Sequence, residues 1–205
     1  MPLSDEQVDR YSRQIILPEV GGAGQERLLA AKVHLLGTGA IAAWAVRYLV
    51  AAGVGDLSSS PAVPAELVEE LAQLNPDCRI STAAPRGDRC VALAIDSAVD
   101  AIEPFWEEGA PILLAECRAR ETALTALWSR HPASACPRCS RATTSAPRSS
   151  SAGTFIAALA VTEAIKLILD VGTPLFGKRL TYAPLAHEIR TERVTCNPGC
   201  PEKRA

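Results

Sequence analysis

The sequence predicts an α/β fold built on a mainly parallel sheet, and three observations predict it. Short apolar runs (KVHLL, CVALAID, PILLAE) alternate with longer segments of helical spacing, such as IAAWAVRYLVAAG and AELVEELAQL. The first run ends in a glycine loop, Gly37-Thr38-Gly39-Ala40-Ile41-Ala42, that opens a helix. At 205 residues and 48% hydrophobic composition, the chain is long enough for one domain with a real core.

In chain order, Ser4 and Gln7 form a capping box that starts a helix over DEQVDRYSRQ. GGAG reads as a glycine-rich turn before a short helix, QERLLAA. KVHLL is a strand, and IAAWAVRYLVAAG is a helix with Gly53 at its C-cap. GVGDL starts a second strand, which SSSPAVP ends quickly. AELVEELAQL is an amphipathic helix stopping before Asn75-Pro76. CRIST is a candidate strand, and CVALAID is a buried one ending in Asp96. SAVDAIEPFWEEG has helical spacing that Pro104 should bend or break. PILLAE is another buried strand, and ETALTALW alternates like an antiparallel one. AGTFIAALAVTEAIKLILDVG is the longest helix, and KRLTYAP with HEIRTERV reads as a final hairpin. The most apolar part of the long helix is short for a membrane span and carries Glu163 and Lys166, so it reads as a core helix. The N-terminus has no apolar signal core, and a cytoplasmic protein is expected.

The net charge of −2 provides no electrostatic footprint for nucleic acid or an anionic membrane. The glycine loop fits G-x-G-x-x-A: Gly37 for the turn, Gly39 for backbone approach to a phosphate, Ala42 for close helix packing, with the backbone at Ala40 facing an anion. The alternative is a loop that only turns tightly. The acid that should hold a ribose about 20 residues on is missing: Asp56 precedes the expected strand end and reads as part of a Gly55-Asp56 turn. The fold class is thus Rossmann-like with flanking helices, plus a small antiparallel C-terminal extension. The whole chain, 1–205, reads as one domain, with a helical arm over 1–31, a Rossmann-like part over 32–131, and cysteine knuckles, long helix and hairpin over 132–205.

Seven cysteines, an odd number, favour metal or free thiols over a disulfide framework. Cys136-Pro137-Arg138-Cys139 and Cys196-Asn197-Pro198-Gly199-Cys200 are two paired knuckles whose four thiolates suit a structural zinc, clipping the Pro-rich loop at 132–147 to the C-terminus. A redox role for Cys136 and Cys139 ranks below this, because no thioredoxin-like strand precedes them. Cys78, Cys90 and Cys117 read as small buried hydrophobes.

Taken together, RYSRQIILPEVGGAGQERLLAAKVHLLGTGAIA, YLVAAGVGDL, LAQLNPDCRI, CPRC, AVTEAIKLILDVGTPLFGKRLTYAPL and NPGC resemble, in order and over nearly the whole chain, the ThiF/MoeB/HesA family of ubiquitin-activating-enzyme-like adenylyltransferases. The resemblance implies ATP and Mg²⁺ in a Rossmann-like site, adenylation of the C-terminal glycine of a ubiquitin-like or sulfur-carrier protein, dimerisation, and a Cys₄ zinc. It further implies that Arg13 reaches the partner protomer's phosphates; without it, Arg13 reads as a surface ion pair with Asp9. This chain departs from the pattern. LSSSPAVP replaces some two dozen family residues, including the ribose acid and an Asn, Arg and Lys that hold ribose and phosphates. Val99 stands where the family's metal-binding Asp belongs, with Asp100 one place late. Lys203 replaces a cysteine, and Cys196 is offered instead. A shortened member that does not itself adenylate is therefore expected. It would be a homodimer, or a heterodimer with a complete homologue, giving Arg13 in trans and binding Mg-ATP weakly or not at all. The alternatives are an active compact adenylyltransferase rebuilt around Arg86, Arg89 and Asp100, and a binding module for a carrier-protein tail.

Overall fold

The computed structural model describes residues 2–81, 90–117, 121–141 and 150–201. Arg86, Arg89 and Lys203 lie outside them. Helices α1 (Asp5–Ile15) and α2 (Gly21–Ala30) precede β1 (Lys32–Leu36), α3 (Gly39–Ala52), β2 (Asp56–Ser60), α4 (Ala65–Leu74) and β3 (Arg79–Ser81). Then come β4 (Cys90–Ile95), α5 (Val99–Glu108), β5 (Ile112–Cys117) and β6 (Thr122–Leu127). The short α6 (Pro137–Ser140), the 20-residue α7 (Ser150–Leu169) and the hairpin β7 (Lys178–Ala183) and β8 (Glu188–Arg193) complete the chain.

All eight strands form one sheet in the order β3-β2-β1-β4-β5-β6-β7-β8. The first five positions pair parallel, and β5 through β8 pair antiparallel. The small antiparallel C-terminal extension expected from the sequence is thus a hairpin that continues the main sheet. Crossover helices cover both faces, so β4, β5 and β6 are buried at every residue. On one face, Val33, Leu35, Leu57, Leu93 and Leu113 meet α2, α3, α4 and α7; on the other, Leu36, Ala94 and Leu114 meet Ile102 and Phe105 of α5.

Three elements differ from the sequence expectation. GGAG belongs to α2, where Gly24 allows close packing: a Cβ there would lie 3.3 Å from Val20 and 3.4 Å from Leu169. The serines of DLSSS are in β2, because buried His34 on β1 gives Ser58 and Ser60 hydrogen-bond partners (2.7 and 3.2 Å). Pro104 sits inside α5 without ending it; the residue is exposed, so water can satisfy the one carbonyl it leaves unpaired. Helix α7, apolar and long enough to cross a membrane by length and composition, packs instead on α3, α2 and β4–β6, burying Ile156, Ala157, Ala160 and Ala164. Half of that stretch is buried within the chain. Buried Glu163 accepts from Lys166 Nζ (2.6 Å) and from the Leu175 N–H, holding the loop that follows.

The helical arm is fixed by a polar clamp. Asn75, which ends α4, is buried, and its Nδ2 donates to the Val50 carbonyl (2.8 Å) and to Tyr11 Oη (2.9 Å). Tyr11 Oη donates to Asp77 Oδ2 (2.9 Å), which also pairs with Arg10 (2.6 Å). Burial pushes the Tyr11 phenol well above its ordinary range, so it stays a donor. Asn75→Ala leaves the Val50 carbonyl and the Tyr11 hydroxyl short of a partner and should cost about 2–3 kcal/mol. That is a fall in melting temperature of about 4–10 °C by calorimetry, with Tyr11→Phe costing roughly half as much.

Candidate functional site

The C-terminal ends of β1, β2 and β4 converge on the glycine loop. Register pairs Leu36 with both Ser60 and Ala94, so the three strands end level. Gly37 leaves β1 with φ +127, and a Cβ there would come within 2.4 Å of the Ile95 carbonyl oxygen. Its N–H donates to the Ser60 carbonyl (3.1 Å). Only glycine satisfies both the angle and the approach to β4. Gly39, φ +87, starts α3, and a Cβ there would meet nothing within 4 Å. Thr38, the N-cap, makes no side-chain cap bond, which leaves the helix's first N–H groups without that partner. Ala40 is exposed at the mouth, whereas Ala42 is buried and seats α3 on the sheet. Ile41 packs against Gly153 of α7, where any Cβ would lie 2.5 Å from its side chain.

The loop borders a cleft of about 270 Å³. Its far wall is Pro61, Ala62, Val63, Pro64 and Leu67, with Val46 and Ala43 below and Ser59 at the back. Among the described residues, none that lines it is charged. Asp56 begins β2 rather than sitting in a turn, and it pairs with Arg79 (2.7 Å). At ~3.3 Å per residue, that places it some 13 Å from the loop, at the wrong end of the strand for a ribose. Past β4, Asp96 (φ +48) accepts the Cys117 N–H (2.8 Å), tying β4 to β5. Ser97 donates to the Leu36 carbonyl (2.7 Å). Val99 and exposed Asp100 open α5.

Arg13 is exposed on α1, and among the described residues it makes no ion pair with Asp9. Its neighbours Arg10 and Tyr11 are spent in the clamp. The other cysteines are poor nucleophiles: burial pushes Cys78 up to about 12 and Cys90 up to about 11, and Cys117, the last residue of β5, is buried.

At the opposite end of the sheet, Cys136, Cys139, Cys196 and Cys200 place their sulfurs within 4.8 Å of one another and could hold a metal ion. Pro137 at the start of α6 winds the chain so that Cys139 returns beside Cys136. Cys136 and Cys200 sulfurs stand 3.6 Å apart. Four sulfurs around zinc at ~2.3 Å stand about 3.8 Å apart, so the donor set fits a tetrahedral ion. The Cys136 N–H donates to Cys196 Sγ (3.2 Å) and the Asn197 N–H to Cys139 Sγ (3.4 Å), which favours thiolates. Cys196, which no family spacing pointed to, is thus part of the cluster.

A profile described as the ThiF family matches residues 11–58. The match ends inside β2, just before the Pro-rich wall of the cleft. The SAMP-activating enzyme E1 of Haloferax volcanii is 29% identical over 248 positions, covering 98% of this chain and 90% of that protein. The sulfur carrier protein adenylyltransferase of Thermus thermophilus is 30% identical over 254 positions, covering 98% and 92%. An alignment of 254 positions onto a chain of 205 residues leaves at least 49 positions without a residue here. Among solved structures, Escherichia coli MccB with ATP superimposes with a TM-score of 0.75 at 16% identity, over 96% of this chain and 74% of that one. That likeness is one of fold.

The two loop glycines should respond differently to alanine. Gly37→Ala meets both the positive φ and the Ile95 carbonyl and should cost about 3–5 kcal/mol. Gly39→Ala meets only the backbone angle and should cost about 1–2 kcal/mol. Equal losses in urea unfolding would contradict the packing described.

Proposed function

Because the chain belongs to the ThiF family, whose relatives include adenylyltransferases of sulfur-carrier proteins, we propose that it is a member that does not itself adenylate. In this reading it acts as a dimer partner, with itself or with a complete homologue, and presents Arg13 to the other protomer's nucleotide. The observation that carries the proposal is a cleft that has no charged side chain among the described residues, beside an intact glycine loop. Transfer of an adenylyl group requires Mg²⁺ and cations to neutralise the phosphates. Here the acid after β2 is replaced by serine and proline, the Asp of α5 by Val99, and Asp56 is engaged at the far end. Losses of groups that act as a unit cannot be made up one at a time. Arg13, by contrast, is exposed and left out of the clamp that occupies its neighbours, which suits a residue whose target lies on another chain.

The test is ATP–pyrophosphate exchange and calorimetry. The chain alone should bind Mg-ATP no more tightly than about 1 mM, a free energy near 4 kcal/mol. Arg13→Ala should leave that binding unchanged, yet slow exchange by a complete homologue mixed with it on the order of 100-fold. Micromolar ATP affinity, or carrier-dependent exchange by the chain alone, would identify a rebuilt active enzyme instead.

We also propose that the four cysteines hold a structural zinc, as the Cys₄ donor set with no open position suggests. Metal analysis should find about one zinc per chain. Cys139→Ser should release it and lower the melting temperature by about 10 °C, the equivalent of ~3–5 kcal/mol.

A further inference from the structure

We propose that the glycine-loop cleft is a binding site for a small aliphatic monocarboxylate. The inference rests on the preceding reading, in that the cleft is no longer built for a nucleoside triphosphate.

Four observations select this class of ligand. The first is size: at about 270 Å³ the cleft lies at the lower edge of ligand pockets, ~300–1,000 Å³. The second is the wall, made by Val46, Pro61, Val63, Pro64 and Leu67, which suits an apolar body and provides no side-chain partner for a polar one. The third is charge. Among the described residues, the positive feature at the cleft is the N-terminus of the 14-residue α3, uncapped by Thr38 and open at Gly39. A helix N-terminus favours a single negative charge; without side-chain cations it does not hold a polyanion.

The fourth observation is independent of the helix. Ser58 and Ser60 face His34 and are bonded to it, so the alternation of β2 turns Ser59 to the other face, where it lines the cleft. Ser59 is 3% exposed, and its Oγ has no hydrogen-bond partner. A buried hydroxyl left unpaired is costly, and one aimed into a cleft marks the place of a ligand oxygen. A carboxylate has two oxygens: one can accept from the first N–H groups of α3, the other from Ser59. An adenine ring or a ribose would present several polar groups to a cleft whose described side chains offer the hydroxyls of Thr38 and Ser59 alone.

Hexanoate is the probe, with hexylamine as the same apolar body of opposite charge, and adenosine and Mg-ATP as nucleotide controls. Hexanoate should raise the melting temperature of the full chain and bind in calorimetry, and hexylamine should do neither. Ser59→Ala removes a buried unpaired hydroxyl, so the variant should fold with an unchanged or higher melting temperature, yet bind hexanoate about tenfold more weakly. Val63→Glu, placing a carboxylate in the half-buried wall, should abolish binding. Equal effects of hexanoate and hexylamine, no hexanoate binding, or an unchanged affinity in Ser59→Ala would overturn the proposal, as would adenosine binding more tightly than hexanoate. Micromolar Mg-ATP binding would instead overturn the preceding reading, and the hexanoate and hexylamine results remain readable beside it.

Discussion

The fold depends on the burial of α7. This helix lies across the point where the sheet changes from parallel to antiparallel, packing on β4, β5 and β6 while also touching α2 and α3. Its small residues, Ala157, Ala160 and Ala164, let it approach closely, and Gly153 lets Ile41 of the glycine-loop helix nest against it. One helix therefore sets the height of α3 above the sheet, and through α3 the shape of the cleft. The requirement is steric rather than chemical. It explains how the loop geometry can be held whatever side chains surround it.

A second consequence concerns two sequence blocks that lie far apart. RYSRQ and LNPDC make one polar clamp: Tyr11 and Arg10 meet Asn75 and Asp77. Part of what makes the family recognisable is thus architecture, because the clamp anchors the arm and ends α4. Within RYSRQ, Arg13 takes no part in this clamp and is exposed.

Most of the fold was legible because it rests on periodicity. The alternation of buried strands and helices, the G-x-G-x-x-A turn and the stop at Asn75-Pro76 are local signals. The failures were of two kinds. DLSSS looked like a strand breaking into a loop, since three serines have no apolar side chains to bury; what keeps them in β2 is His34, 24 to 26 positions away. GGAG looked like a turn because glycine is a poor helix former, and the gain that offsets this is contact of Gly24 with Val20 and Leu169. That the hairpin joins the main sheet is a matter of register, which no local pattern carries. At the site, the paired spacings pointed to all four cysteines of the cluster, Cys196 included, and the folded geometry brings their sulfurs together. Ser59 was invisible to sequence reasoning, since which serine of a run faces the cleft depends on strand phase.

The cysteine cluster sits at the opposite end of the sheet from the glycine loop, and it joins two points 64 residues apart in the chain. Closing a loop of that length in an unfolded chain costs about 4 kcal/mol of entropy, a cost that the folded chain has already met. In the zinc-bound form proposed above, everything between the knuckles, including α7 and the hairpin, would become part of a ring. In that form a cut between Cys139 and Cys196 would open the peptide, and the two pieces would stay joined through the shared ion. In such a topology, continuity of the backbone and integrity of the protein are separate properties.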